Sequence, residues 1–75
     1  MKSLVEYIAS ALVSEPDQVD VQVDDNDRRV RLSLSVASED MGRVIGSRGR
    51  VANAMRTLLR VMSARRGVRV DLNIE

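Results

Sequence analysis

The sequence predicts one α+β domain, an α/β sandwich in which helices cover one face of a three-stranded mixed sheet. Three stretches alternate apolar and polar residues as strands do, and the segments around them carry apolar residues at helical spacing. A chain of 75 residues suffices for one domain with a thin core. We therefore expect residues 1–75 to form a single domain with the order helix, strand, strand, helix, helix, strand.

The first predicted element is an amphipathic helix from about Ser3 to Val13. Its apolar positions recur at helical spacing: Leu4, Val5, Ile8, Ala11 and Leu12. Ser3, with Glu6 three residues later, matches a capping box. The polar segment that contains Pro16 ends this helix.

Two strands follow the first helix, and a third ends the chain. Valines alternate with polar residues over 19–24, a polar turn occupies 25–27, and the alternation resumes over 30–36. The same pattern returns over 68–74. Because all three strands are amphipathic, we expect one covered face and one solvated face of the sheet.

Two helices are predicted between the second and third strands. The first is short, from about Glu39 to Ile45 with Ser38 as N-cap, and the second runs from about Arg50 to Arg65 with Gly67 closing it. A right-handed crossover through both helices returns the third strand parallel to the second.

The long helix has one main apolar stripe, which we expect to face the core: Val51, Met55, Leu58 and Met62. Leu59 and Val61 fall partly outside that stripe. They predict spare apolar surface that a second copy or a partner would bury.

The two parts of the chain carry opposite charge. Residues 1–27 hold one basic and seven acidic side chains, and residues 28–75 hold eleven basic and four acidic ones. Eleven of the twelve basic residues are arginine, which makes forked contacts with phosphate. This asymmetry favours a polyanionic partner for the second part, although a solvated, charge-balanced surface has the same composition.

The residue inventory argues against catalysis. Histidine and cysteine are absent, which removes imidazole acid-base chemistry, thiol nucleophiles and the usual zinc ligand sets. Tyr7 is the only aromatic residue, and one ring cannot provide a base-stacking platform. We expect no enzyme activity, cofactor, metal or small-molecule substrate. No apolar run suits a signal peptide or membrane span, so we expect a cytoplasmic protein without membrane contact.

The segment Gly46-Ser47-Arg48-Gly49 lies between the two crossover helices. Glycines let its backbone amides approach a phosphate, and the segment leads into a helix N-terminus, which favours anions. Arg48, flanked by Arg43 and Arg50, adds positive charge. We interpret the segment as a phosphate clamp, while noting that a helix-turn-helix corner also uses two glycines.

Two stretches carry a family resemblance: residues 40–50, Asp-Met-Gly-Arg-Val-Ile-Gly-Ser-Arg-Gly-Arg, and the opening Leu4-Val5-Glu6-Tyr7-Ile8. They resemble the small bacterial single-KH RNA-binding proteins of the KhpA (YlqC) family. The resemblance covers essentially the whole chain. It implies a KH domain of the second topological type that binds single-stranded RNA through its GxxG loop without catalysis. It also implies a role as an RNA chaperone or post-transcriptional regulator.

The resemblance further implies which residues contact RNA. Residues 46–49 would hold about four nucleotides of backbone, with Arg43 and Arg50 beside them and Ile45 facing the bases. The remaining expected groove-lining residues are Val44, Val51, Ala52 and Met55. Many KH domains carry a larger aliphatic residue at the position of Ala52, so we expect a shallow groove.

The family also implies homodimerisation and pairing with a larger partner of the Jag (KhpB) type. Two alternatives stay open. The chain could be a KH-fold dimerisation or protein-interaction module with little intrinsic RNA binding, or the same loop could bind single-stranded DNA.

Overall fold

A computed structural model of the chain describes residues 1–75. Its elements are helix α1 (Lys2–Leu12), strands β1 (Asp20–Asn26) and β2 (Arg29–Ser35), helices α2 (Met41–Ile45) and α3 (Arg50–Ala64), and strand β3 (Arg69–Ile74). Short 3-10 turns occupy Pro16–Gln18, Ser38–Asp40 and Ser47–Gly49. The predicted α+β class and element order are confirmed. No helix has both the length and the apolar character needed to cross a bilayer.

The sheet is mixed and has β2 at its centre. Strands β1 and β2 are antiparallel, with Val21 opposite Leu34, and β2 and β3 are parallel, with Leu32 opposite Leu72. The hairpin between β1 and β2 closes through a two-residue loop in which Asp27 has φ of 58°. The predicted parallel return of the third strand is confirmed.

One core lies between the sheet and the helices. Its eleven buried residues are Val5, Ala9, Val13, Val21, Val30, Leu32, Leu34, Val44, Met55, Leu59 and Leu72. In each strand, polar side chains alternate with these core residues, so they lie on the opposite face of the sheet. The covered and solvated faces that the alternation predicts are therefore present.

The predicted N-caps are wrong. Helix α1 begins at Lys2 with Met1 at its N-cap, so Ser3 lies inside the helix and no side chain caps it. Ser38 lies within a 3-10 turn that follows Ala37, and that turn also lacks a side-chain cap. Ser3 therefore lies two positions, and Ser38 one position, beyond the N-cap of its element.

Gly67 closes α3 as predicted. It has φ of 66°, the left-handed conformation that glycine adopts without a Cβ penalty. The N–H of Val68 donates to the Ser63 carbonyl over 3.3 Å, and the N–H of Gly67 donates to the Ala64 carbonyl over 3.4 Å. These two bonds form a Schellman motif and turn the chain into β3.

The apolar stripe of α3 is rotated relative to the prediction. Leu59 is buried at 1% exposure, whereas Leu58 is 48% exposed and Val61 is 56% exposed. The expectation that Leu59 contributes spare apolar surface and that Leu58 faces the core is thus wrong. Adjacent helical positions differ by about 100°, so the docking angle of α3 decides which leucine is inside.

Candidate nucleic-acid interface

Gly46 is held against Val51 at the exit of α2. Its φ of 77° and ψ of 173° lie in a region that is essentially restricted to glycine. A Cβ at this position would lie 2.5 Å from Val51 Cγ2 and 2.9 Å from the Val51 nitrogen. The backbone at Gly46 can therefore reach the first turn of α3 only because no side chain intervenes.

The rest of the loop is a tight turn with left-handed backbone. Arg48 (φ 58°, ψ 26°) and Gly49 (φ 74°, ψ 18°) are both left-handed. The Gly49 N–H donates to the Gly46 carbonyl over 3.1 Å, and the Arg50 N–H donates to the Ser47 carbonyl. Ser47 and Arg48 are exposed at this turn, where a ligand can reach them.

The loop combines unpaired cations with an uncapped helix end. Arg48 and Arg50 are exposed and belong to neither ion pair of the fold. No side-chain oxygen caps the N-terminus of α3, and the N–H of its first residue, Arg50, donates to the Ser47 carbonyl. The helix dipole adds partial positive charge at the same point. Anions are favoured here on both grounds.

A buried carboxylate anchors the start of α2. Asp40 is 1% exposed, and its Oδ1 accepts hydrogen bonds from the Ser14 N–H and hydroxyl over 3.1 and 2.9 Å. Its Oδ2 accepts from the Glu15 N–H over 3.2 Å, and Arg43 Nε lies 3.8 Å from Oδ1. The Ser14 N–H is the main cause of a lowered Asp40 pKa, because it stabilises the charged carboxylate. The anchor fixes the helix that leads into the loop.

The pKa of a second carboxyl near this anchor is shifted in the opposite direction. A hydrogen bond with the Glu39 side chain, together with the negative charge of Glu39, raises the pKa of Glu15. The two shifts have opposite signs because Asp40 faces donors, whereas Glu15 faces another carboxylate.

The residues expected to line a base-facing groove separate into two groups. Val44, Ala52 and Met55 are buried at 2% exposure or less, so their side chains lie beneath the surface. Ile45 and Val51 are half-buried and pack against the core while keeping part of their surface open. Of the five residues expected to line the groove, only Ile45 and Val51 therefore offer accessible apolar surface beside the loop.

A polar stripe on α3, formed by Asn53 and Arg56, was missed by the sequence analysis. Arg56 Nε and Nη2 each donate to the Leu72 carbonyl of β3 over 3.3 Å, and Nη1 donates to Asn53 Oδ1 over 3.3 Å. The sequence feature that could have revealed this stripe is the three-residue spacing of its two polar side chains, on a helix next to an edge strand. This stripe continues from the loop along the seam between α3 and β3.

Strand β3 presents its free edge to this seam. The amides of Arg69 and Glu75 donate to carbonyls of the β2 side over 2.7 and 2.8 Å. Backbone groups alternate in direction along a strand, so those of Val70, Leu72 and Ile74 point away from β2. Hydrogen-bonding groups of the edge thus lie beside the polar stripe.

This fold and loop define a KH domain of the second topological type: an α-β-β-α-α-β order, a mixed three-stranded sheet, and a glycine-bracketed turn between two helices. The chain belongs to the KhpA/KhpB KH-domain family, whose model matches residues 2–74.

Relatives from several bacteria are similar over almost the whole chain, and each is named RNA-binding protein KhpA. The protein of Halalkalibacterium halodurans is 45% identical over 99% of this chain and 97% of its own. That of Clostridium acetobutylicum is 43% identical over 99% of both chains. That of Borreliella burgdorferi is 41% identical over 95% of this chain and 87% of its own. No solved structure is significantly similar to the chain.

Proposed function

We propose that this protein binds single-stranded RNA without catalysis, holding the sugar-phosphate backbone at residues 46–49. The observation that carries the proposal is the turn itself, in which a glycine packed on Val51 leads into an uncapped helix beside two unpaired arginines. The relatives named RNA-binding proteins support it.

Each residue of the interface has a distinct task in this proposal. Backbone N–H groups and Arg48 bind phosphate, with Arg43 and Arg50 adding charge on either side. Ile45 and Val51 contact the bases through their open apolar surface, and Val44, Ala52 and Met55 support them from below. Ribose 2′-hydroxyls distinguish RNA from DNA at such a site.

The proposed role is that of an RNA chaperone or post-transcriptional regulator in the bacterial cytoplasm. A single loop that holds about four nucleotides binds weakly, so useful affinity needs a second module. We propose a homodimer, or a heteromer with a partner of the Jag (KhpB) type, as the source of that module. The family model, which spans both KhpA and KhpB domains, is consistent with related partners.

A loop variant tests the proposal. Ser47→Asp combined with Arg48→Asp removes three units of positive charge from the loop, and Arg65→Asp combined with Arg66→Ser removes three at the other end of α3. Binding of a fluorescent single-stranded RNA is measured by anisotropy, and thermal melting checks that both variants fold. We expect the loop variant alone to lose binding. Equal binding by both variants would refute the loop assignment.

A second candidate function is a protein-interaction module, and the exposed apolar side of α3 favours it. Ala54, Leu58 and Val61 are spaced four and three residues apart, so they share one side of the helix, and all three are exposed. Around the helix, Leu58 lies about 160° and Val61 about 140° from Arg56. Self-association on this side would leave the seam beside β3 open.

Sedimentation velocity at several protein concentrations tests this candidate. Leu58→Gln combined with Val61→Gln should shift the protein to monomer, whereas Leu12→Gln, at another exposed apolar position on α1, should not. RNA binding that persists in a monomeric variant would separate the two functions. A wild-type protein that is monomeric at every concentration would exclude the homodimer.

A further inference from the structure

Strand β1 forms the other free edge of the sheet, on the side away from β3. The Leu34 carbonyl of β2 accepts from the Glu75 N–H, so Leu34 and the alternate residues of β2 direct their backbone groups toward β3. The β1 residues opposite that set include Val23 and Asp25, whose N–H and C=O groups therefore point to the open edge. These groups are available to pair with a further strand.

The open part of this edge is short, and no side chain lies across it. Val21 is 2% exposed, so the edge is covered at its start and is open over residues 22–26, which are all exposed. On the opposite edge of the sheet, Arg56 bonds the Leu72 carbonyl of β3. The only side-chain hydrogen bond of β1 joins two of its own side chains over 2.7 Å. The backbone of β1 is thus left free.

The edge lies in an acidic part of the chain. Residues 15–27 carry six carboxylates and no cation. Asp24 and Asp25 are exposed on opposite faces of β1, and both belong to neither ion pair of the fold. Arg31, opposite Asp24 on β2, lies one strand spacing, about 4.8 Å, further from the edge. A chain that approaches the edge from solvent therefore meets negative charge first.

Val23 adds apolar surface at the same place. Its side chain is on the core-facing side of the sheet, as is that of Val21, yet it is 44% exposed and does not pack against the core. An apolar side chain on a neighbouring strand would cover Val23, while the next residue of that strand would lie on the face of Asp24. The edge therefore suits a strand in which apolar and basic residues alternate.

We propose that the β1 edge over residues 22–26 docks an extended protein segment in which basic and apolar residues alternate. The segment adds a fourth strand to the sheet: its backbone pairs with Val23 and Asp25, and its cations approach Asp24 and Asp25. A second copy of β1 is disfavoured as the occupant because it would bring the same carboxylates to the edge. RNA is disfavoured by its own negative charge. The site lies apart from residues 46–49 and does not depend on the proposed RNA binding.

Anisotropy with a fluorescent, end-blocked peptide of alternating lysine and valine tests the proposal on the full chain. A control peptide of the same composition groups the lysines and valines into two blocks, and it should bind more weakly. Val23→Pro removes an outward N–H while keeping the bonds to β2, and it should weaken binding of the alternating peptide roughly fivefold or more.

A charge variant provides a second test, which decides alone if thermal melting shows that Val23→Pro does not fold. Asp24→Asn combined with Asp25→Asn should weaken binding of the alternating peptide roughly two- to fivefold. Asp17→Asn combined with Glu75→Gln removes two charges outside the open edge and should leave binding unchanged. Salt of about 0.15 M screens charges beyond roughly 8 Å, which keeps this comparison local.

Hydrogen exchange measured by NMR locates the peptide. The amides of Val23 and Asp25 should become protected when the alternating peptide is added, and the loop variant should bind it as wild type does. Protection of the Val70 and Leu72 amides instead would assign the peptide to the edge of β3 and overturn the proposal. Equal binding of the two peptides, or binding of neither, would also overturn it, because the carboxylates would then serve only to keep strands away from the edge.

Discussion

Gly46 and Val51 are packed so closely that a Cβ on the glycine would lie 2.5 Å from Val51 Cγ2. The contact joins the last residue before the turn to the first turn of α3. It sets how sharply the two helices meet, and hence where Ser47 and Arg48 are presented.

Gly46→Ala should both destabilise the domain and abolish RNA binding. The backbone conformation alone costs about 1–3 kcal/mol, and the contact with Val51 adds to it. Gly49→Ala, where the nearest atom would be Asn53 Nδ2 at 3.8 Å, should cost only about 1–2 kcal/mol of left-handed strain. Urea unfolding of both variants measures the difference. Equal free energies of unfolding would show that the loop relaxes around the added methyl group.

RNA affinity should depend strongly on salt. If about three or four phosphates are neutralised, the logarithm of affinity should fall against the logarithm of salt concentration with a slope of roughly −2 to −3. Arg48→Gln should reduce the slope by about 0.7, and Arg65→Gln should leave it unchanged. The slope is obtained from anisotropy titrations at several salt concentrations, and a value near zero would contradict binding through phosphates.

Two neighbouring leucines should differ sharply in their contribution to stability. Leu59→Ala should lower the free energy of unfolding by about 2–5 kcal/mol, because it opens a cavity in the core. Leu58→Ala, at 48% exposure, should cost less than about 1 kcal/mol in the monomer. Urea unfolding at low protein concentration compares them. A larger loss for Leu58 would place the side of α3 that carries Leu58, about 100° around the helix, against the sheet.

Asp40 should stabilise the fold at neutral pH and lose that effect in acid. Its pKa is lowered in the folded state, so its contribution is complete above the ordinary value of 3.8 and disappears as the pH falls through the folded value. Asp40→Asn should therefore lower the melting temperature at pH 7, and the difference from wild type should shrink below about pH 4. Thermal melting between pH 2 and pH 7 follows this convergence.

The raised pKa of Glu15 has the opposite effect on stability to the lowered pKa of Asp40, and it provides a control. Its charged form is disfavoured by Glu39, so Glu39→Gln should raise the melting temperature at neutral pH and have no such effect in acid. A difference between Asp40→Asn and wild type that does not change with pH would mean that the carboxylate acts by packing alone.

The strands and the order of elements were predictable because each depends on a local pattern. Alternation over 19–36 and 68–74 places every second side chain on one face, and burial of Val21, Leu32 and Leu72 follows from it. Gly67 was predictable for a similar reason, since a left-handed residue after a helix favours glycine.

Features that depend on distant contacts were not predictable. Leu58 and Leu59 are equally apolar, and only the docking angle of α3 separates them. Asp40 has the composition of an exposed residue, yet its partners at Ser14 and Glu15 lie 26 and 25 residues away in the chain. A single sequence carries no pattern that pairs these segments.

The placement of the predicted site residues follows from their proximity in the sequence. Arg43 lies in α2, Ser47 and Arg48 lie in the turn, and Arg50 begins α3. The seam that Arg56 forms with Leu72 depends on a contact between residues 16 apart, so spacing alone indicated only that Arg56 lies off the apolar stripe.

The bond from Arg56 to the Leu72 carbonyl also bears on solubility. An unpaired strand edge is a template on which other chains can assemble into intermolecular sheets, and a long cation placed across it discourages such growth. Arg56 occupies the middle of the edge that β3 leaves open. The same side chain that borders the seam therefore also shields the open edge of β3 from pairing with strands of other chains.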